Sequence, residues 1–363
     1  MEKFHLQLPY YVKLSQIVLG LVAFFFVMYV GQDIIVPLVF AVIIAILLNP
    51  AVNFLVTKRW NRVLAISTVL LVAFILLIGL FYFIFSQFAK FSDALPELKR
   101  NINLIWQQAT SWICEQFNIP HKKFDAWIEQ MKGEGMTKTT AVLTGTLGTI
   151  SGVLITIFLM PVYIFLFLYY KTMLHEFIVR LFTNDRNGLV EEILTETKKL
   201  IQSYLVGLMI EAILVATLNS VGLLIIGVKY AVLLGVVGAI LNIIPYIGGI
   251  IAVALPMLLS IASGKPESAI WVLVVYLIVQ FIDNNFFVPK IVASKVRINA
   301  LVSIVVVLVG GALWGVEGMF LSIPLTAILK VIFDRIKPLQ PFGFILGDDQ
   351  PDTVKAILNK KKK

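Results

Sequence analysis

The stretch from Ala231 to Ala262, AVLLGVVGAILNIIPYIGGIIAVALPMLLSIA, is apolar along almost its whole length and is interrupted once, near its middle. The interruption runs from Asn242 to Gly249, where Pro245 removes a helical hydrogen bond and two adjacent glycines weaken the helix further. Each half, of about 14 residues, would rise roughly 21 Å as a helix, less than the ~30 Å of the hydrocarbon layer. We therefore predict a re-entrant helical hairpin that enters the membrane from outside.

A second stretch, from Asn299 to Phe333, repeats this design, with two apolar arms on either side of a break from Gly310 to Gly318. Each broken stretch follows an apolar span, Tyr204 to Val228 in the first case and Ala269 to Ile282 in the second. The two span-and-hairpin pairs start on opposite sides of the membrane, which predicts an inverted repeat in the C-terminal half. Two full spans in place of either hairpin fit the lengths equally well if the helices are tilted.

The composition is that of a membrane protein. Hydrophobic residues make up 59% of the 363 residues and charged residues 14%, whereas charged residues approach about a quarter in soluble proteins. Four further apolar runs reach the ~20 residues that cross a bilayer as a helix: Leu14 to Gly31, Ile34 to Val56, Val63 to Phe85 and Leu147 to Tyr170. The predicted fold class is all-α, a polytopic integral membrane protein with six full spans and two re-entrant hairpins, or eight segments.

The basic residues predict the orientation of the chain. Lys58, Arg59 and Arg62 crowd the short link between the second and third spans, which the positive-inside rule places in the cytoplasm together with the N-terminus. The lysines from Lys360 to Lys363 place the C-terminus there too. The net charge of +9 is thus explained by topology, and we expect no nucleic-acid partner.

This topology divides the chain into five regions. Residues 86–144 are polar with apolar positions at helical spacing, which predicts an amphipathic cap outside the cell. The regions are an N-terminal scaffold of three helices (1–85), the extracytoplasmic cap (86–144), the fourth span with a cytoplasmic linker helix (145–203), a transport bundle with the two broken hairpins (204–334) and a cytoplasmic basic tail (335–363).

Polar residues inside the apolar spans are the site candidates, because ionisable and amide groups are costly there and broken helices must line protein or a water-filled cavity. For Glu211 and Glu317, packing or an interfacial position stays open beside function. Asp283 to Asn285 followed by Pro289 exceed what a helix-end turn needs, which favours function. The predicted substrate- or ion-binding residues are Glu211, Asn219, Asn242, Pro245, Gly248, Asp283, Asn284, Asn285, Pro289 and Glu317.

Several kinds of chemistry are not predicted. Cys114 is the single cysteine, so neither an intrachain disulfide nor a cysteine metal cluster can form. The sequence carries no metalloprotease, phosphate-loop or nucleophile-elbow motif, so we expect no enzyme, no cofactor or metal, and no ATP-driven pump. A secondary carrier that uses an ion gradient is the favoured function, and a passive channel or a non-transporting membrane scaffold are the alternatives.

Four stretches carry a family resemblance: Tyr204-Leu-Val-Gly207, Asn242-Ile-Ile-Pro245-Tyr246-Ile-Gly248, Asp283-Asn284-Asn285-Phe-Phe-Val-Pro289-Lys290 with Val296-Arg-Ile-Asn299, and Gly315-Val-Glu-Gly318 through Pro324-Leu. Together they resemble the autoinducer-2 exporter family of bacterial membrane proteins. One departure is Gly249, where the family commonly has proline. The resemblance implies a protein of the bacterial inner membrane that exports a small molecule such as autoinducer-2.

The same resemblance implies partners and motion. Sodium or proton exchange is suggested for some members of that family, and members form homo-oligomers within the lipid bilayer. It also implies that the C-terminal bundle moves against the N-terminal scaffold.

Overall fold

The computed structural model describes residues 9–92, 95–117, 158–182, 188–244, 247–263, 265–292 and 298–348, and within these ranges every regular element is helical. The all-α prediction is therefore confirmed. The elements are α1 (Tyr10–Val30), α2 (Gln32–Thr57), α3 (Arg62–Ser92), α4 (Leu95–Phe117), α5 (Phe158–Tyr169), α6 (Lys171–Leu181), α7 (Leu189–Ile226), α8 (Ala231–Asn242), α9 (Ile247–Ala262), α10 (Pro266–Ile282), a π-helix (Asp283–Val292), α11 (Ala300–Arg335), a 3-10 turn (Lys337–Leu339) and α12 (Gln340–Leu346).

The long helices make the chain a polytopic membrane protein. Among the described residues, five helical segments are long and apolar enough to cross a membrane by length and composition: α2, α3, α7, α10 with the start of the π-helix, and α11, although α11 is bent into two arms at Trp314 and Gly315. The axes of α5 and α6 differ by 64°, and they add a sixth span if the bent pair is counted as one. Large apolar side chains such as Phe54, Leu76 and Ile225 are exposed on these helices, as expected of surfaces that face lipid.

The chain forms two compact units. The terminal unit contains Met1–Ile44, Ile178–Leu200 and Arg297–Lys363, and the central unit contains Ala45–Phe177 and Ile201–Val296. Residues 204–296 fall in the central unit and residues 297–334 in the terminal unit, and the transport bundle 204–334 stays a prediction. In addition, α7 is one continuous helix from Leu189, so the predicted linker and the fifth span are not separated by a turn.

The first hairpin, α8 with α9, belongs to the central unit. A Cβ atom built on Gly248 would lie 1.7 Å from the carbonyl oxygen of Leu241, so the start of α9 touches the end of α8 backbone to backbone. The chain therefore folds back at the predicted break. The arms contain 12 and 16 residues. They are roughly 18 and 24 Å long, shorter than the ~30 Å hydrocarbon layer.

The second hairpin is α11 of the terminal unit, which is folded back on itself. Trp314 and Gly315 have non-helical backbone angles, and Gly315 has a φ of 62°, which glycine adopts without strain. A Cβ atom on Gly318 would lie 2.0 Å from the carbonyl oxygen of Gly310. Because residues eight apart in a straight helix are separated by roughly 12 Å, this contact shows two arms, 300–313 and 316–335.

Small residues bring the helices of the central unit together. Gly222 on α7 lies against the Val275 side chain on α10, and Gly207 lies against the carbonyl oxygen of Ile291 in the π-helix, so the two segments run antiparallel in close contact. An apolar core fills the space between α7, α8, α9 and α10. Its buried residues are Leu223, Val228, Ala231, Leu234, Ala252, Leu259, Ala262, Val272 and Tyr276.

The amphipathic helix α4 closes one end of the first hairpin. The side-chain amide of Asn101 donates a hydrogen bond of 2.7 Å to the carbonyl oxygen of Ala262, the last residue of α9. Carbonyl groups at a helix end lack helical donors, so this bond satisfies one of them. Residues 118–144 of the predicted cap lie outside the described residues.

Candidate functional site

Glu211 lies on the buried face of α7. The buried residues of this face recur every three or four positions, as a helix packed along one side requires. They include Tyr204, Gly207, Glu211, Val215, Asn219 and Leu223. Glu211 is only 8% exposed, and a buried carboxyl group inside an apolar span is costly unless neighbouring groups interact with it.

Asp283 supplies a second buried carboxyl group, opposite α7. It is 1% exposed, and its Oδ2 accepts a hydrogen bond of 3.0 Å from the side-chain amide of Asn242 at the end of α8. Its Oδ1 has no hydrogen-bond partner among the described residues. Asn242 thus ties the turn of the first hairpin to the carboxyl group of Asp283.

The backbone at Asp283 is a π-helix. This element is rare in proteins, and where it occurs it is often at a functional site. The helix does not end at Ile282, as the prediction of a span from Ala269 to Ile282 required, but continues to Val292. Pro289 lies within the π-helix and has no N–H to donate to the preceding turn. The polar cluster is therefore part of a helix and not a turn at its end.

The carboxyl groups of Glu211 and Asp283 lie close enough for their charges to interact. Two negative charges in a medium of low dielectric constant repel each other strongly. Such a pair favours a bound cation or proton between or beside the two groups. We call Glu211, Asp283 and Asn242 the carboxylate level.

The structure separates Asp283 from its two polar neighbours. Asn284 and Asn285 are exposed on the single chain. The Oδ1 of Asn284 accepts a bond of 3.2 Å from Gln280, and the side-chain amide of Asn285 donates to the carbonyl oxygen of Phe281 at 2.8 Å. Of the three consecutive polar residues, only Asp283 points into the bundle.

The other predicted residues are distributed along the fold. Asn219 is buried on the face of α7 that carries Glu211, roughly 12 Å further along the helix axis. Gly248 provides the backbone contact at the turn of the first hairpin, and Pro245 lies outside the described residues. Glu317 belongs to the terminal unit and is exposed near the tip of the second hairpin.

Sequence reasoning did not single out Tyr276 or Gln280 on α10. Tyr276 is buried, and Gln280 lies beside the first hairpin, with its Oε1 3.4 Å from a Cβ atom built on Gly249. The available signal was spacing, because Tyr276 precedes Asp283 by seven residues, or about two helical turns. Among the described residues, no group of three or more histidine, cysteine, aspartate or glutamate side chains could hold a metal ion.

A bundle of apolar helices with paired carboxyl groups buried beside the turn of a helical hairpin is the architecture of a membrane transporter. The family model of the AI-2E family transporters matches residues 18–337, and the chain belongs to this family. The resemblance found in the sequence motifs is therefore confirmed, and the family is a class of transporters, not of enzymes.

Relatives match over most of their length. The YhhT protein of Escherichia coli (strain K12) is 25% identical over 322 residues, which cover 88% of this chain and 90% of YhhT. The YueF protein of Bacillus subtilis (strain 168) is 26% identical over 313 residues, with 83% of each chain covered. The AI-2 transport protein TqsA of Escherichia coli (strain K12) is 25% identical over 319 residues, or 88% of this chain and 90% of TqsA.

Proposed function

We propose that this protein is a secondary active transporter that exports a small molecule, such as autoinducer-2 or a related metabolite, in exchange for sodium ions or protons. The carboxylate level carries the proposal, because two buried carboxyl groups that repel each other create a site for a cation at the turn of a hairpin. The similarity to an AI-2 transport protein supports the choice of cargo.

Coupling follows from the cost of burying uncompensated charge. Leaving two carboxylates without a counter-charge in the membrane costs several kcal/mol, so the empty site resists any movement that buries it further. A sodium ion or proton at Glu211 and Asp283 removes this penalty, with the unpaired Oδ1 of Asp283 available to it and Asn242 holding Oδ2. The loaded site then changes the side of the membrane to which it is open, which is alternating access.

The proposed location is the bacterial cytoplasmic membrane, with both termini in the cytoplasm and a homo-oligomeric assembly. The first hairpin enters from outside and the second from the cytoplasm, as inverted repeats. Arms of roughly 18 and 24 Å in the first hairpin support a re-entrant segment over two full spans. The buried Asp283 and Glu211 are proposed as the centre of the site, and the predicted residues Asn284, Asn285 and Glu317, which are exposed, are not placed in it.

The test is flux from proteoliposomes filled with autoinducer-2 and placed in inward sodium or proton gradients. We expect wild-type efflux to accelerate with one gradient, and Asp283→Asn to reduce efflux to the rate of empty liposomes because it removes one charge from the pair. Asn284→Ala is the matched control and should retain flux, since its side chain faces outward. Efflux that ignores both gradients would indicate a passive channel, and no efflux of any solute a scaffold.

A further inference from the structure

A second polar group lies in the interior of the central unit, away from the carboxylate level. Asn219 on α7 is 2% exposed and Tyr276 on α10 is 5% exposed. Neither the Oδ1 of Asn219 nor the hydroxyl of Tyr276 has a hydrogen-bond partner in the described ranges. Buried polar atoms without partners destabilise a fold, so a hydrogen bond to each of them from a bound molecule or from water would stabilise the protein.

Gly238 on α8 packs against both side chains. A Cβ atom at this position would lie 3.0 Å from the hydroxyl oxygen of Tyr276 and 3.8 Å from the side-chain nitrogen of Asn219. The two polar groups therefore flank the same point on α8. Any larger residue at Gly238 would press on the Tyr276 hydroxyl, so glycine lets α8 pack this closely against both side chains.

An apolar layer separates this corner from the carboxylate level. Val215, Ala239 and Val279 form a buried cluster, with one residue from each of α7, α8 and α10. In each helix this apolar residue lies, along the sequence, between a residue of the carboxylate level and one of Asn219, Gly238 and Tyr276. On α7, for example, Val215 lies halfway between Glu211 and Asn219. The same three helices thus carry two polar levels with an apolar layer between them.

We propose that Asn219 and Tyr276, beside Gly238, form a second, uncharged binding level that holds a neutral hydroxyl or carbonyl group of the transported molecule. This inference rests on the proposed function and assigns the ion and the cargo to different levels. An amide and a phenol both donate and accept hydrogen bonds, which matches a neutral polar group. None of the three residues carries a charge that would favour a cation or an anion over water.

The experiment is a thermal-shift titration of the purified full-length protein with sodium, with neutral hydroxylated compounds (autoinducer-2, ribose and glycerol) and with charged ones (lactate and phosphate). We expect a neutral compound to stabilise the wild type by mass action. Tyr276→Phe keeps the ring and removes the hydroxyl, so the apparent Kd for that compound should rise about tenfold, the effect of one lost hydrogen bond. Asn219→Ala should weaken the binding of the same compound and leave the stabilisation by sodium unchanged.

The controls separate this inference from the proposed function. Tyr163→Phe on α5 makes the same chemical change elsewhere in the central unit and should bind like the wild type. Asp283→Asn should no longer be stabilised by sodium and should bind the neutral compound as the wild type does. Gly238→Ala, which places a methyl group against the Tyr276 hydroxyl, should reproduce the loss seen in Tyr276→Phe.

Two results would overturn the second level. One is that no neutral compound stabilises the wild type, in which case water alone occupies the corner. The other is that Tyr276→Phe binds every neutral compound as the wild type does. A third result would separate the two proposals. If a neutral compound binds in a way that depends on Tyr276 and sodium stabilises no variant, sodium exchange is rejected and the second binding level is supported.

Discussion

The two helical hairpins share one plan but differ in what surrounds their tips. The first hairpin ends α8 at Asn242, whose amide bonds to a buried carboxyl group. The second hairpin turns at Trp314, whose indole N–H donates a 2.9 Å hydrogen bond to the carbonyl oxygen of Met28 at the end of α1. The charged residue near this second tip, Glu317, is exposed. Buried charge is thus concentrated at the first hairpin, and neutral anchoring contacts at the second.

The second hairpin is also held at its ends. Asn299 accepts a bond from the N–H of Val302 at the start of α11, and its side-chain amide donates to carbonyl oxygens at the end of α12. At the other end, Arg335 pairs with Glu192 and Glu196 on α7. The second hairpin is therefore held at its tip and at both ends within the terminal unit, whereas the proposed site lies at the first hairpin.

The largest effect is expected at the turn of the first hairpin. Gly248→Ala places a methyl group 1.7 Å from a backbone oxygen that cannot move without opening the hairpin, so we expect a loss of stability of about 3 kcal/mol or more. Gly249→Ala is the control, because its nearest contact is 3.4 Å away. Thermal unfolding of the two purified variants measures the difference. Equal stability would show that the two arms do not meet at this glycine.

Two substitutions, one at each partner of the Asn242–Asp283 hydrogen bond, are expected to change the unfolding free energy differently. Asn242→Ala removes a donor from a buried carboxylate and should lower the unfolding free energy by about 1.5 to 3 kcal/mol. Asp283→Asn removes one of two repelling charges and should leave stability unchanged or raise it by about 1 kcal/mol. Denaturation of both proteins in the same detergent gives the two values. A strongly destabilised Asp283→Asn would mean that the aspartate serves the fold and not the transport of an ion.

At the second hairpin, Trp314→Phe should cost about 1 to 2 kcal/mol, because it removes the hydrogen bond to Met28 and part of a buried ring. Transport should continue at a similar rate in the folded protein, since no charge is lost. Unfolding and flux are measured on the same preparation. Full loss of flux with intact folding would show that the second tip takes part in binding.

The smallest effect is expected at the end of the second hairpin. Arg335→Gln breaks ion pairs that are partly exposed, which contribute at most about 1 kcal/mol and are weakened by salt. Lys337→Gln is a control with an exposed side chain. The difference in unfolding temperature between the two variants should shrink between low and high salt. A large loss of stability in Arg335→Gln that salt does not change would show that these ion pairs are not weak surface contacts.

Apolar length and backbone breaks predicted much of the fold from the sequence. The turn of the second hairpin at Trp314 and Gly315 falls inside the break predicted from Gly310 to Gly318, because glycine permits both the positive φ and the close contact of the arms. The bond between Trp314 and Met28 joins residues 286 positions apart, and local patterns carry no signal for such a contact.

The sequence names some residues of the candidate site and not others. Glu211 and Asp283 were named because carboxyl groups in apolar spans are costly, and both are buried. The sequence could not separate Asp283 from Asn284 and Asn285, because a π-helix changes the spacing that decides which residues face inward. Tyr276 was missed because a tyrosine in a span more often marks the membrane interface than a buried corner.

We expect transport chemistry to lie at the first hairpin and not at the second. The most direct test measures gradient-driven efflux of autoinducer-2 from proteoliposomes that contain Asp283→Asn or Glu317→Gln, two substitutions that each remove one carboxylate charge. We predict that Asp283→Asn reduces efflux to the rate of empty liposomes and that Glu317→Gln stays close to the wild type, since Glu317 is exposed. Preserved efflux in Asp283→Asn, or an equal loss in both variants, would contradict the account.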